Sequence, residues 1–210
     1  MELNILYEDE NVLVIDKPAG VNADDFPKRV HRLDKDTSGV LIVAKNDKTL
    51  EFLQKQFKER RVEKKYIALI VGHLKTKQGI IETLIGRSPK DRRKQKVFLP
   101  GEPDSQGKRE AITKYKALKR FKNFDLVEIT PETGRKHQIR CHFAYLGHPI
   151  VGDKMYGFKN QILPKGLKRH FLHASYLKIK LPDGKEKEFQ SDLSEDLKSA
   201  LGKLNEEKEE

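Results

Sequence analysis

The sequence predicts an α+β protein built on a largely antiparallel, mixed central β-sheet with flanking helices. Three observations predict it. Short apolar, β-branched runs recur along the chain, among them VLVID at 12–16, VLIVA at 40–44 and KKYIALIV at 64–71. Strand patterns follow strand patterns more often than helix patterns do, which favours antiparallel pairing. Only three stretches carry a helical period.

The elements follow in order. Residues 4–7 and 12–16 read as two short strands around a turn at Asp9-Glu10-Asn11, and Lys17-Pro18-Ala19-Gly20 stops the second. The run 40–44 has no polar residue, as a strand covered on both faces requires. Asp47 is the expected cap of a helix through about residue 60, with Leu50, Leu53 and Phe57 on one face. Residues 64–71 form a further strand. Residues 86–109 mix Gly, Pro and charge without a period and read as a long exposed basic loop or hairpin. Residues 111–119 and 124–130 alternate as half-buried strands. His137 to Leu146 fits a short helix with Ile139, Phe143 and Leu146 on one face and Gly147 as its stop. Residues 175–181 and 186–189 pair around Pro182-Asp183-Gly184, and Ser194 caps a last helix.

Charge narrows the function. Lys plus Arg number 43 against 32 Asp plus Glu, a net charge of +11. The excess is uneven: Arg87 to Lys122 holds thirteen basic and four acidic residues. A local excess of that kind is the footprint of a polyanion binder, whereas a Lys/Glu-rich surface of the heat-adapted kind intersperses both signs. Nucleic acid is the favoured partner. No apolar stretch is long enough to span a bilayer, and the N-terminus lacks a secretory pattern. One cysteine, Cys141, excludes an internal disulfide and a cysteine-clustered zinc site. A cytoplasmic location and a monomer fit, the latter because no spare amphipathic surface stands out.

The sequence has no Gly-rich phosphate loop, no GxGxxG and no HExxH. None of its seven histidines is paired at i, i+4 with acidic support, and His170 and His173, at i, i+3, have no nearby Cys, Asp or Glu to complete a set, so no metal is expected. Two polar clusters remain. The first is His31-Arg32-Leu33-Asp34-Lys35-Asp36-Thr37-Ser38-Gly39, which leads straight into the buried run 40–44. A loop so placed is fixed by the strand yet open to solvent. Asp36 reads as a turn residue, and Asp34 by composition alone reads as a surface ion pair. The second cluster is Thr133-Gly134-Arg135-Lys136-His137-Gln138-Ile139-Arg140. Arg140 sits beside the buried stripe and should find a carboxylate partner. Tyr66, within a strand of aliphatics, reads by itself as core packing.

These clusters, in this order, resemble the RluA-type pseudouridine synthase family. HRLDKDTSG is similar to its catalytic motif, KKYIAL to its Lys-x-Tyr motif, TGRKHQIRCHFAYLGHPIVGDKMYG to its third motif and RHFLHASYL to its fourth. ILYEDENVLVIDKPAG also has the family's form, so the likeness runs from about Ile5 to Leu181. It implies a pseudouridine synthase-like fold with a catalytic cleft, acting on ribosomal or transfer RNA without a cofactor. It assigns Asp34 as the catalytic aspartate, Tyr66 as the tyrosine that stacks on the target base, and Arg140 as the arginine that pairs with the aspartate. It implies substrate contacts at His31, Arg32, Leu172, Arg135 and His137. The isomerisation leaves redox state and composition unchanged, so neither NAD, ATP nor metal is needed. Many members carry a longer insert where 21–30 stands here, and a small basic RNA-binding domain before the ILYED-like start. The expectation is one catalytic domain over 1–210 without that accessory domain, with a frayed acidic tail at 205–210.

Two rivals stand beside this reading. A non-catalytic RNA-binding or ribosome-assembly protein fits the composition equally well, but leaves Asp34, Tyr66 and Arg140 without purpose. A metal-dependent nuclease would use Asp34 and Asp36, which share one face if the segment is an extended strand, about 6.6 Å apart. Arg32 and Lys35 beside them would repel the metal.

Overall fold

Residues 3–204 are described by the computed structural model, and the tail expected over 205–210 lies outside them. The chain divides into two compact units, one of Met1–Tyr66 with Leu172–Glu195 and one of Ile67–Phe171 with Asp196–Glu210.

In the first unit β1 (Asn4–Glu8), β2 (Val12–Lys17) and β3 (Ser38–Ala44) pair antiparallel in sequence order. The turn between β1 and β2 is closed by the Asp9 carboxylate, which accepts the backbone N–H of Asn11 and of Val12, each at 2.7 Å. All seven residues of β3 are buried, which explains its unbroken apolar run. Its start pairs in parallel with β9 (Leu172–Lys180), Ser38 opposite His173 and Gly39 opposite Ala174. The second half of β9 then pairs antiparallel with β10 (Glu186–Gln190). Helix α1 (Asp47–Lys58) packs Leu53 into the core with Val40, Ile42, Leu177 and Phe189. Its cap is Asn46 rather than Asp47. Asn46 has the extended backbone of a cap, and its side chain accepts the Thr49 N–H at 2.9 Å.

The chain crosses into the second unit along β4 (Glu63–Val71). Here β5 (Gln78–Arg87), β6 (Gln95–Phe98), β7 (Arg109–Phe121) and β8 (Phe124–Pro131) pair antiparallel in the order β8-β7-β5-β6. The basic stretch expected over 86–109 as a loop or hairpin is both: a hairpin to Phe98, paired from Leu84 with Phe98 to Arg87 with Gln95, and then a loop with a short 3-10 turn at Pro103–Ser105. Sequence pattern gives no strand over 78–85, because Ile80, Ile81, Leu84 and Ile85 put apolar groups on both faces and hide the period of two. Helix α2 (Gln138–Tyr145) lays Cys141 against Ile85, Val97 and Ala111, and Gly147, at φ +81°, ends the turn that follows it. Helix α3 (Glu195–Gly202) begins directly after Ser194. No described helix is long and apolar enough to cross a membrane.

Gly39 is the tightest point of the first unit. Its φ is +112°, and a Cβ there would lie 2.1 Å from the carbonyl oxygen of Ala174. Gly101, at φ +88°, has nothing within 4 Å of such an atom. Gly101→Ala therefore carries only the backbone term, about 1–2 kcal/mol. Gly39→Ala must also part β3 from β9 and is expected to lose more than about 4 kcal/mol, the range of a disrupted core. Urea unfolding of the two variants checks the contrast.

Candidate active site

The first unit builds one cluster. A hydrogen bond of 3.0 Å from the Thr37 N–H to the Asp34 carbonyl closes a turn over Asp34–Thr37. The turn feeds into β3 through Thr37 and Ser38, both buried. The Ser38 hydroxyl lies 2.9 Å from His173 Nδ1, and His173 Nε2 lies 3.0 Å from the Ser191 carbonyl. A carbonyl can only accept, so Nε2 carries a proton. The far side of the turn is held by Lys17. Its side chain is fully buried, and its ammonium donates to the carbonyls of Pro18 (2.9 Å), Val21 (2.9 Å) and Lys35 (3.1 Å). Three donors thus meet three acceptors, and the Gly20 N–H shares the Lys35 carbonyl at 2.9 Å.

Asp34 emerges half-buried from this frame. The preceding residue, Leu33, is in the core with Ile15, Leu41 and Ala174, and Tyr66 packs against that cluster. Burial raises the Tyr66 hydroxyl pKa, and the nearby Asp34 charge raises it further. Tyr66 therefore keeps its proton near neutral pH. Leu172, buried at the start of β9, lies abreast of Thr37, because Ser38 pairs with His173 in parallel. Arg32 is exposed. His31 is committed to the fold: its ring stacks on Phe57 at 4.8 Å, and its Nε2 accepts the Ile42 N–H at 3.3 Å. Burial lowers its pKa to about 3, with the charges of Lys64 and Arg29 acting the same way. Asp34 and Asp36 sit in a turn and not on an extended strand. The shared face that the nuclease reading needs is therefore absent.

The second unit builds another cluster around α2. His137, at its N-terminus, has φ +55°, a left-handed backbone that a non-glycine residue rarely adopts. Its Nδ1 meets the Tyr156 hydroxyl at 2.9 Å. Arg135 donates from Nε to the Glu110 carbonyl at 2.9 Å. Arg140 finds the carboxylate its position calls for in Asp153. Nε and an Nη donate to the two carboxylate oxygens at 2.6 and 2.8 Å, and both residues are buried. Burial alone would raise the Asp153 pKa, but Arg140 and the N–H groups of Tyr156 and Met155 hold it below the usual carboxylate value. The Arg140 guanidinium also lies 5.2 Å from the centre of the Tyr156 ring.

Behind Arg140 runs a buried polar chain. His142 is bonded by Thr83 at Nε2 (2.9 Å) and by Thr113 at Nδ1 (2.8 Å). Gln138 donates to Thr113 at 2.9 Å and accepts from Thr133 at 2.8 Å. Burial lowers the His142 pKa to about 4. Among the described residues no group of three His, Cys, Asp or Glu side chains could hold a metal ion.

Lys17, Asp153 and Tyr156 are site-supporting residues that sequence reasoning missed. A signal existed for the first: Lys17 falls on the same strand face as the buried Ile15. Asp153 is thirteen residues from Arg140, outside any helical or strand spacing, and only the fold joins them.

A model of the RNA pseudouridylate synthase family matches residues 22–145, more than half of the chain. The chain is 40% identical over 194 residues to an uncharacterized RNA pseudouridine synthase of Aquifex aeolicus (strain VF5), covering 79% of this chain and 59% of the relative. It is 38% identical over 218 residues to the ribosomal large subunit pseudouridine synthase D of Borreliella burgdorferi, covering 90% and 64%. The chain thus spans less than two thirds of the length of these two relatives. The solved structure of human RNA pseudouridylate synthase domain containing 1 superposes with a TM-score of 0.81 at 30% identity, over 98% of this chain and 89% of that one.

Two outcomes follow from the buried groups. Asp153→Asn leaves the Arg140 charge without its anion and is expected to lose about 3–5 kcal/mol in urea unfolding. His142 has a folded pKa below its unfolded value of 6.5. Its contribution is complete above that pH and is lost as pH falls towards about 4, with a slope of about 1.4 kcal/mol per pH unit. His31 adds to the same loss down to about pH 3. His142→Gln is expected to flatten unfolding curves measured at pH 7, 6 and 5.

Proposed function

The chain belongs to the RNA pseudouridylate synthase family, and from that premise we propose that it isomerises uridine to pseudouridine in RNA, with Asp34 as its catalytic carboxylate. The observation that carries this is the placement of Asp34. It stands half-exposed at the mouth of a turn that Lys17, Gly20, Ser38 and His173 fix from both sides, next to a tyrosine that stays protonated. A fixed anion beside an apolar and aromatic floor is what the reaction asks of a protein. The carboxylate acts on the ribose, by attack at C1′ or by removing a sugar proton, and the N-glycosidic bond to uracil breaks. The freed base turns and bonds to C1′ through C5, which displaces the carboxylate where that had attacked C1′; the C5 proton then leaves and N1 takes up a proton, so that composition is unchanged. Tyr66 and Leu172 hold the base out of its stack, and exposed Arg32 takes a flanking phosphate. Arg140 is assigned by its motif to keep the aspartate ionised, with Arg135 and His137 as further RNA contacts. The basic β5–β6 hairpin supplies sequence-independent attraction. Ribosomal RNA is the substrate favoured, on the name that the Borreliella burgdorferi relative bears. A cytoplasmic setting fits the one cysteine, Cys141, which is buried and unpaired.

The test uses ribosomal and transfer RNA carrying tritium at C5 of uridine, with EDTA present. Wild type is expected to release tritium. Asp34→Asn is expected to lose at least about 10³-fold in rate while binding RNA as before. Normal release by Asp34→Asn would overturn the assignment of Asp34. No release by wild type from either RNA would favour the non-catalytic binding protein.

A further inference from the structure

The stretch after Asp153 builds a feature with no part in the chemistry above. Phe158 is 51% exposed, and Ile162 and Leu163 close behind it are 65% and 45% exposed. Single exposed apolar residues need no explanation, but three within six positions form a patch. Two hollows border it. One, of about 630 Å³, is lined by Phe158 with Lys154, Lys159 and Lys168. The other, of about 480 Å³, is lined by Phe158 with His73, Lys122 and Asn123. Phe158 and Gln161 belong to both and form the ridge between them.

The ridge is held in place. The Asp153 carboxylate accepts the N–H of Met155 at 2.9 Å and of Tyr156 at 3.0 Å, and the Gly157 N–H returns to the Asp153 carbonyl at 2.8 Å. A Cβ on Gly157 would meet that carbonyl at 2.3 Å and the Gln161 side chain at 2.5 Å. Phe158 thus leaves a tight turn that a glycine permits and an ion-paired carboxylate pins.

We infer that Phe158 is a stacking platform for an unpaired base of RNA, with Lys154, Lys159 and Lys168 contacting the phosphates beside it. The charge chooses the class of partner. The only carboxylate among the residues lining the two hollows is Asp153, and Arg140 already engages it. An anion is therefore favoured, and a second copy carrying +11 is repelled. The aromatic ridge chooses the form of the anion. A duplex offers phosphates but buries its base faces, whereas a single strand presents both to a ring flanked by lysines. The inference rests on RNA being the substrate and adds a second point of contact in the unit that does not hold Asp34.

Equilibrium binding of a fluorescein-labelled 12-mer of oligouridine and of a blunt 12-base-pair RNA duplex tests it, at 150 mM salt and without turnover. Phe158→Ala and Phe158→Leu are expected to weaken the oligouridine about tenfold, the loss of one stack. Phe158→Trp is expected to hold wild-type affinity, and the duplex to bind all forms alike. Changing Lys154, Lys159 and Lys168 together to Gln is expected to lower the salt slope for the oligouridine by about 2. Wild-type affinity in Phe158→Leu would overturn the proposal, because the ring would then be ordinary apolar surface. So would an equal loss for the duplex, or a matching loss for a labelled polyglutamate, which would point to an acidic protein segment. A Phe158 effect without tritium release would sink the catalytic reading alone. Tritium release without a Phe158 effect would sink this one alone.

Discussion

The geometry of the first unit depends on one buried ammonium. Lys17 is fully buried, and burying a charge is among the more costly things a fold can do. Its three carbonyl partners offset that cost and tie three points of chain together: Pro18, Val21 and Lys35. Lys35 is the residue after Asp34. The acid is thus positioned by backbone that cannot move without exposing a desolvated cation. On the other side of the same turn, Ser38 and Gly39 are locked against β9 by the His173 hydrogen bond and by a contact too close for any side chain. Asp36 and Thr37, between these anchors, and Asp34 beside the first of them have little freedom left.

The second unit follows the same logic with a different ion. Asp153 accepts two N–H groups of its own turn and two from Arg140, which fixes at once the guanidinium, the start of the Phe158 turn and the Tyr156 ring beneath the guanidinium. The chain Thr83–His142–Thr113–Gln138–Thr133 then holds α2 from beneath. Every member of that chain is satisfied, so the network rigidifies the helix rather than weakening the core. His137 gives up a relaxed backbone at the same helix end, a cost that folds tend to accept where a side chain must be aimed.

Much of this was legible in the sequence, for identifiable reasons. The runs that became β2 and β3 are buried on both faces or alternate cleanly, and their boundaries are marked by Asp9 and by Lys17-Pro18. α1 and α2 showed their apolar stripes. The motif around Asp34 stood out because polar residues feed a strand that has none. What stayed hidden was long-range. β5 shows apolar groups on both faces, so only its partners β6 and β7 reveal it. The Asn46 cap differs from Asp47 by one position, within what capping signals resolve. His31 belongs to the catalytic motif by sequence, yet Phe57 and Ile42 claim its ring, because a half-buried imidazole beside two cations is cheaper neutral and packed. The residue pattern alone called for a carboxylate beside Arg140, and the family resemblance named Asp34; the carboxylate that receives its two short hydrogen bonds is Asp153, which spacing could not choose.

The distribution of charge separates the two tasks of such a protein. Lys17 and Arg140 are buried and hydrogen-bonded, and they position chain. The remaining excess lies on the β5–β6 hairpin, on β7 and around Phe158, where lysines stay hydrated. Hydrated lysines attract phosphates at long range while keeping most of their water, but they do not discriminate between sequences. On the function proposed, discrimination comes from groups with shape: Tyr66 and Leu172 in the unit of Asp34, and the Phe158 ring on its rigid turn. A fold with a strongly positive surface and only a few rigid apolar contact points is suited to RNA that is mostly held by its backbone and read where its bases are unstacked.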